Sequence, residues 1–226
     1  MMEKTIVMSL GGSVIVPDKI DVNFLKKFKK IINKYANKGY KFVIICGGGK
    51  IARDYQKAAS QIANQSNYYL DWLGIHATKM NAWLMKAVFG KDAEKLIVDD
   101  PREKVSFTRN ILIAGGWKPG WSTDYDAVLL AKNIGVKAII NMSNIDYLYD
   151  KDPKKYNNAK KIKSISWKRY RRISGNEWKA GLNAPFDPVA AKEAEKSKLK
   201  VIIIGKNLGN FENLLRDKGF EGTVIR

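Results

Sequence analysis

At 226 residues with 45% apolar side chains, the chain can bury a substantial core, and its single cysteine, Cys46, excludes an intramolecular disulfide framework. No run of eighteen apolar residues exists to form a bilayer-spanning helix, and no Cys/His cluster exists to form a zinc site. The net charge of +19 would suit phosphate-bearing partners, but 33 of the 41 basic residues are Lys and only 8 are Arg, so much of it reads as solvated lysine faces rather than phosphate forks.

The chain opens on a strand-like run at 5–10 with no cleavable signal ahead of it, so a cytoplasmic protein is expected. Helical spacing follows at 22–36, a buried-strand run at 41–46, and helical spacing again at 50–63 and 70–89. Short apolar runs at 95–98 and 111–114 read as strands, 124–134 as a helix and 137–142 as a strand. The segment 156–184 breaks this rhythm and carries the basic aromatic run Trp167, Lys168, Arg169, Tyr170, Arg171, Arg172; it reads as an excursion. A helix at 188–197 and a strand at 200–204 complete the pattern. Such alternation predicts an α/β fold, a three-layer αβα sandwich with a mostly parallel central sheet, in one domain spanning 1–226. His76, the only histidine, falls mid-helix in an apolar stripe and reads as structural.

Glycines gather where strands end: Gly11 and Gly12 before Ser13, Gly47 to Gly49 before Lys50 and Arg53, Gly115 and Gly116, and Gly205. In open α/β sheets ligands bind beyond the carboxyl ends of the strands, so these loops converge on one crevice. Glycine lets backbone N–H groups approach phosphate oxygens, and a following helix N-terminus adds a favourable dipole. Neither a Walker sequence nor a Rossmann GxGxxG is present.

Six ordered blocks carry a resemblance over nearly the whole chain: LGGSVI at 10–15, GGGKIARDY at 47–55, DWLGIHATKMNA at 71–82, GGWKPGWSTD at 115–124, NIDYLYDKDPKK at 144–155 and FDPVAAKEA at 186–194. Together they resemble the amino acid kinase superfamily, and within it the archaeal-type uridylate kinases. The resemblance implies transfer of the γ-phosphoryl group of Mg2+-ATP to UMP. It implies ATP phosphates at Gly11, Gly12, Ser13, Gly49 and Arg53, and adenosine at Ser143, Asn144, Tyr149 and Asp152. UMP is expected at Gly48, Asp71 and the loop Gly116, Trp117, Lys118, Pro119, Gly120, Trp121, Ser122, Thr123. The chemistry suits these roles: Tyr149 could stack on adenine, Asp71 could accept from ribose hydroxyls, and Ser122 and Thr123 begin a helix where an acceptor phosphate would sit. Arg53 and Lys50 are expected to supply charge and Asp187 to orient basic groups, while no protein metal ligand is nominated. Asp124 is expected to cap the helix after the loop. The resemblance also implies a homo-oligomer, a hexamer built from dimers, for which Trp72, Trp83 and Met85 of the 70–89 helix could supply an apolar contact. The N-terminal part would carry the acceptor and the C-terminal part ATP.

Three features depart from the superfamily pattern. Ser9 stands where a lysine is usual, leaving Lys50, Lys118 and Lys192 as candidate replacements; Asp146-Tyr147 replaces Asp-Gly; and Trp117 and Trp121 flank the acceptor loop. Alternative readings are another acceptor of this superfamily, such as acetylglutamate, aspartate, carbamate or isopentenyl phosphate, or a nucleotide-binding regulator. The run 167–172 also keeps open an RNA-associated protein, in which interleaved arginines and aromatics would stack on bases.

Overall fold

The computed structural model describes residues 4–151, 153, 155–175 and 184–226. Its elements in chain order are β1 (Thr5–Leu10), the single turn α1 (Gly12–Ile15), α2 (Val22–Ala36), β2 (Lys41–Cys46), α3 (Gly49–Ile62) and α4 (Asn67–Phe89). After a 3-10 turn come β3 (Ile111–Ala114), α5 (Thr123–Ile134), β4 (Ala138–Met142), β5 (Leu148–Tyr149), β6 (Lys161–Ile162), β7 (Ser164–Ile165) and α6 (Trp167–Ser174). The chain closes with α7 (Pro188–Lys196), β8 (Lys200–Ile204), α8 (Leu208–Leu215) and β9 (Thr223–Ile225). Seven strands form one sheet in the order β3-β2-β1-β4-β8-β9-β7, and β5 pairs with β6 as a small antiparallel ribbon. The first five strands run parallel, with Thr5 opposite Lys41 and Val7 opposite Ile139, whereas β9 is antiparallel to β8.

The strands read as continuous apolar runs because both sheet faces are covered. Alternate residues divide between two cores: Ile6, Met8, Phe42, Ile44 and Ile140 face α2, α4 and α8, while Val7, Val43, Ile45, Ile139 and Val201 face α5, α6 and α7. This is the expected three-layer sandwich. Phe28 anchors the first core, with ring centroids 5.7 Å from Phe24, 6.1 Å from Phe211 and 6.5 Å from Phe89. Asp21 starts α2 by accepting from the Phe24 amide at 3.0 Å, so the polar cap and the apolar face are specified within four residues.

Two expectations change. The run 95–98 makes no strand: the chain touches the β3 edge through the Ala93–Ile111 and Val98–Ala114 bridges and bulges outward between them, leaving Leu96 81% exposed. The described part of the 156–184 excursion is more integrated than its composition implied. It supplies β7 to the edge of the main sheet, parallel to β9, and then α6.

Candidate active site

The loops after β1 and β2 meet backbone against backbone. A Cβ at Gly12 would lie 1.9 Å from the Gly49 nitrogen, and one at Gly47 would lie 2.5 Å from the Gly12 nitrogen, so only glycine allows this approach. Gly49 also holds a φ of 67°, in the left-handed region, as it turns the chain into α3. The result is a cluster of backbone groups at the carboxyl end of the central strands, next to the first turn of α3.

One face of α4 fastens both this cluster and the loop after β3. The buried Asn81 donates to the Gly47 and Gly48 carbonyls at 2.7 and 3.2 Å. Thr78 accepts from the Gly116 amide at 2.7 Å while donating to the Ile75 carbonyl at 2.6 Å. Asp71 accepts from the Gly120 amide at 2.7 Å, and Gly120 has the positive φ of 84° that this turn requires. Residues 71, 78 and 81 lie close to one helical face, so a single rigid element sets the spacing of two loops. Asn81 and Thr78 belong to the 71–82 block but not to the expected site residues; Thr78 stands seven residues after Asp71 and three before Asn81, the spacing of one helical face.

Two adjoining cavities open over these loops. The larger, about 560 Å3, is lined among others by Gln56, Asp71, Gly74, Ile75, Thr78, Gly116 and Trp121. The smaller, about 340 Å3, is lined by Ser9, Gly11, Gly12, Asp124, Asn141, Ser143 and Asp187. Ser13, Gly48, Gly49, Arg53, Ser122, Thr123 and Asn144 line both and form the shared wall. Of the residues expected at the acceptor, Gly48, Asp71, Gly116, Trp121, Ser122 and Thr123 thus line the larger cavity, while Trp117, Lys118, Pro119 and Gly120 do not. Of those expected at ATP, Gly11, Gly12, Ser13, Gly49, Arg53, Ser143 and Asn144 line the smaller one. Tyr149 sits in the β5–β6 ribbon outside both linings, and Asp152 lies outside the described residues.

Cations are scarce here despite the charge of the chain. Arg53 is the one basic side chain among the described lining residues of either cavity. Lys50 points elsewhere, its ammonium 2.7 and 2.8 Å from the two Asp54 carboxylate oxygens. Lys118 lies over the Trp117 ring at 4.0 Å, within an aromatic stack that continues through Trp121 to Tyr125, and Arg102 covers Trp117 at 4.2 Å. Lys192 is exposed on α7 and, like Lys50 and Lys118, lines neither cavity.

Negative charge is instead concentrated beneath the site. Ser122, not Asp124, caps α5, accepting from the Tyr125 amide at 3.2 Å. The Asp124 carboxylate turns inward, taking bonds from the Ser9 hydroxyl at 2.8 Å, the Asn141 amide at 3.1 Å and the Asp187 backbone N–H at 3.1 Å. Although part of the residue opens onto the smaller cavity, desolvation of the carboxyl pushes its pKa up to about 7, with the nearby Asp187 charge adding to the rise and the Ser9 bond opposing it. Asp126, 1% exposed, is pushed up to about 8 by burial while accepting from the Trp117 amide at 3.2 Å. Asp187 caps α7 through the Ala190 amide at 2.6 Å, and burial raises its pKa against the helix-amide and Ser122 hydrogen bonds. No described basic side chain pairs with Asp187; its partners are the α7 amides, Ser122 and Asp124.

Two further expectations meet the structure here. Trp167 and Tyr170, the aromatics of the basic run, are 5% and 1% exposed: the indole donates to the Leu199 carbonyl at 2.9 Å and the phenol to the Phe186 carbonyl at 2.5 Å. They are core residues, unable to present ring faces to nucleobases. His76 is exposed and tilted against Trp72 at 5.8 Å, outside the buried face of α4.

The model of the Amino acid kinase family matches residues 4–205. The chain is 38% identical over 225 residues to a uridylate kinase of Pyrococcus abyssi, covering 97% of this chain and 98% of the relative. It is 36% identical to a uridylate kinase of Thermoplasma volcanium, over 99% of this chain and 98% of the relative. The crystal structure of uridylate kinase from Archaeoglobus fulgidus superposes with a TM-score of 0.82 at 32% identity, covering 99% of this chain and all of that one.

Proposed function

This chain belongs to the amino acid kinase family, and we propose that it is a UMP kinase, transferring the γ-phosphoryl group of ATP to UMP to give ADP and UDP. The observation that carries this reading is the pair of cavities joined through one wall of glycine backbone, Arg53, Ser122 and Thr123. Two phosphorylated ligands that react must bring their phosphates to such a shared wall.

ATP occupies the smaller cavity, with its phosphates on Gly11, Gly12, Ser13 and Gly49 and its adenosine toward Ser143, Asn144 and Tyr149. UMP occupies the larger, its ribose at Asp71 and its phosphate at the first turn of α5. That turn fits an anion because Ser122 and Thr123 sit at the positive end of the helix. Trp121, backed by Tyr125 at 4.2 Å, gives the acceptor a rigid aromatic wall. The acceptor phosphate is already anionic, so no general base is needed; the chain's task is to align the two phosphates and stabilise spreading charge. Arg53, exposed on α3 and held by no described ion pair, is free to bridge them. Mg2+ entering with ATP would lower the charge of the polyphosphate, and the all-oxygen donor set of the smaller cavity fits that ion.

In this reading residues 1–226 form one domain with acceptor recognition in the N-terminal part and ATP recognition in the C-terminal part. The protein works in the cytoplasm as a hexamer built from dimers. An apolar outer face on α3 and α4 supports association: Tyr55, Ile62, Tyr68, Tyr69, Met80 and Trp83 are all more than half exposed. The functional test is ADP release with ATP and a panel of acceptors. UMP-dependent release exceeding that with CMP, acetylglutamate, aspartate, carbamate or isopentenyl phosphate supports the proposal; release with one of the others and none with UMP refutes it.

A further inference from the structure

We infer that Gln56 reads the base of the acceptor nucleotide, its side-chain carbonyl oxygen accepting from the N3–H of uracil and so discriminating against cytosine. The inference rests on the UMP reading of the larger cavity and gives base selectivity to a residue that the sequence blocks do not assign.

Away from the wall shared with the smaller cavity, the described polar side chains of the larger lining are Gln56, Asp71 and Thr78, beside the Trp121 indole. The Thr78 hydroxyl is committed on both sides, accepting from the Gly116 amide and donating to the Ile75 carbonyl. Asp71 takes the Gly120 amide on Oδ2 and is the group suited to ribose hydroxyls. Gln56 is the remaining neutral polar group. It stands half-buried on α3, three residues beyond Arg53 and on the same helical face, so a nucleotide whose phosphate meets Arg53 can extend its other end past Gln56.

A glutamine amide offers donors at one end and an acceptor at the other, and the bonds it already makes decide which end meets a ligand. Here Nε2 donates to the Leu70 carbonyl in the first turn of α4 at 2.9 Å. Gly74, one turn further along α4, leaves room for the amide: a Cβ there would lie 3.0 Å from Nε2. Turning the amide over would set Oε1 against the Leu70 carbonyl oxygen, so the orientation is fixed. Oε1 bonds to no described group and is the end left for a ligand. Uracil carries a donor, N3–H, between two carbonyl oxygens, whereas cytosine has a bare acceptor nitrogen at that position. A fixed acceptor gains a hydrogen bond from the first and meets a lone pair on the second, the kind of mismatch that a small shift of the base must relieve. The ribose contact at Asp71 and the Trp121 ring, backed by Tyr125 at 4.2 Å, oppose such a shift.

Titration calorimetry of the full chain with UMP and with CMP, in wild type and in Gln56→Met, tests the assignment without depending on turnover. Methionine keeps the length of the side chain and removes the amide. Wild type should bind UMP at least about tenfold more tightly than CMP, and the variant should bind UMP about tenfold more weakly while CMP stays within about twofold. Retained CMP binding shows that the variant is intact. A residue that only braces α3 against α4, or that holds the ribose, would weaken both nucleotides alike. Equal losses for UMP and CMP, a preference for UMP that survives in Gln56→Met, or no preference in wild type overturns the inference. ADP release from ATP and UMP is read in parallel. A preference that Gln56→Met abolishes, without wild-type release, sinks the kinase reading alone; release with a preference untouched by the variant sinks the base reading alone.

Discussion

The two cavities share a wall but solve different physical problems. The larger has half-open walls from α3, α4 and the loop after β3, and its one acidic group, Asp71, is fixed by a backbone amide. The smaller sits over the strand ends and collects Asp124 and Asp187 around neutral donors, with Asp126 buried behind. One is built to recognise a ligand by shape and a few hydrogen bonds; the other gathers buried carboxyl groups beside the glycine loops. The contrast explains how a chain with 41 basic residues can bring a single described one, Arg53, to the lining of its site.

Replacing the shared cation should have the largest effect. Arg53→Ala is expected to lower turnover about 100- to 1,000-fold, the range for removing one preorganised charge stabiliser, as read by ADP release at saturating ATP and UMP. A loss below about tenfold would take Arg53 out of the transfer step. Asp71→Asn should separate the cavities: the Michaelis constant for UMP rises by about tenfold while turnover and the constant for ATP stay within about twofold, because one charge-assisted bond is lost on the acceptor side alone. An equal rise for ATP would break the division proposed between the two.

The charge stored beneath the site predicts a pH dependence of stability. Asp124 and Asp126 have folded-state pKa values raised to about 7 and about 8 from 3.8, so the folded chain holds protons that the unfolded chain has released. Their stabilisation is complete below about pH 4 and is lost as pH rises through about 8. In EDTA the melting temperature should therefore fall by about 5 °C or more between pH 5 and pH 8.5. Asp126→Asn, which retains an acceptor for the Trp117 amide, should flatten that slope; a melting temperature that rises with pH would contradict the burial argument. The smallest effect is expected from Lys50→Ala, about twofold or less in turnover, because its ion pair with Asp54 is half-exposed and such pairs contribute little.

The sequence made the sandwich legible because every parallel strand is buried on both faces, which leaves unbroken apolar runs such as 41–46 and 200–204. The 95–98 run failed the same test: two bridging points do not make a strand when Lys95 and Leu96 face water. The short strands β7 and β9 escaped notice because two or three residues carry too little periodicity. At the site, glycine loops and Asp71 were visible through residue type and spacing. The Ser9–Asp124–Asn141–Asp187 network was not, since its members come from four separate segments and meet only through the strand order β1-β4 and the packing of α5 against α7. Trp167 and Tyr170 misled for the opposite reason: their neighbours are basic, but their own positions on α6 face the core.

The central claim is that the two cavities form one transfer site, and a bisubstrate analogue joining adenosine to uridine through a polyphosphate chain tests it most directly. Inhibition kinetics should show one analogue per chain competing with both ATP and UMP, and Arg53→Ala should weaken its binding more than it weakens either nucleotide alone. Competition with only one nucleotide, or binding untouched by Arg53→Ala, would contradict the account.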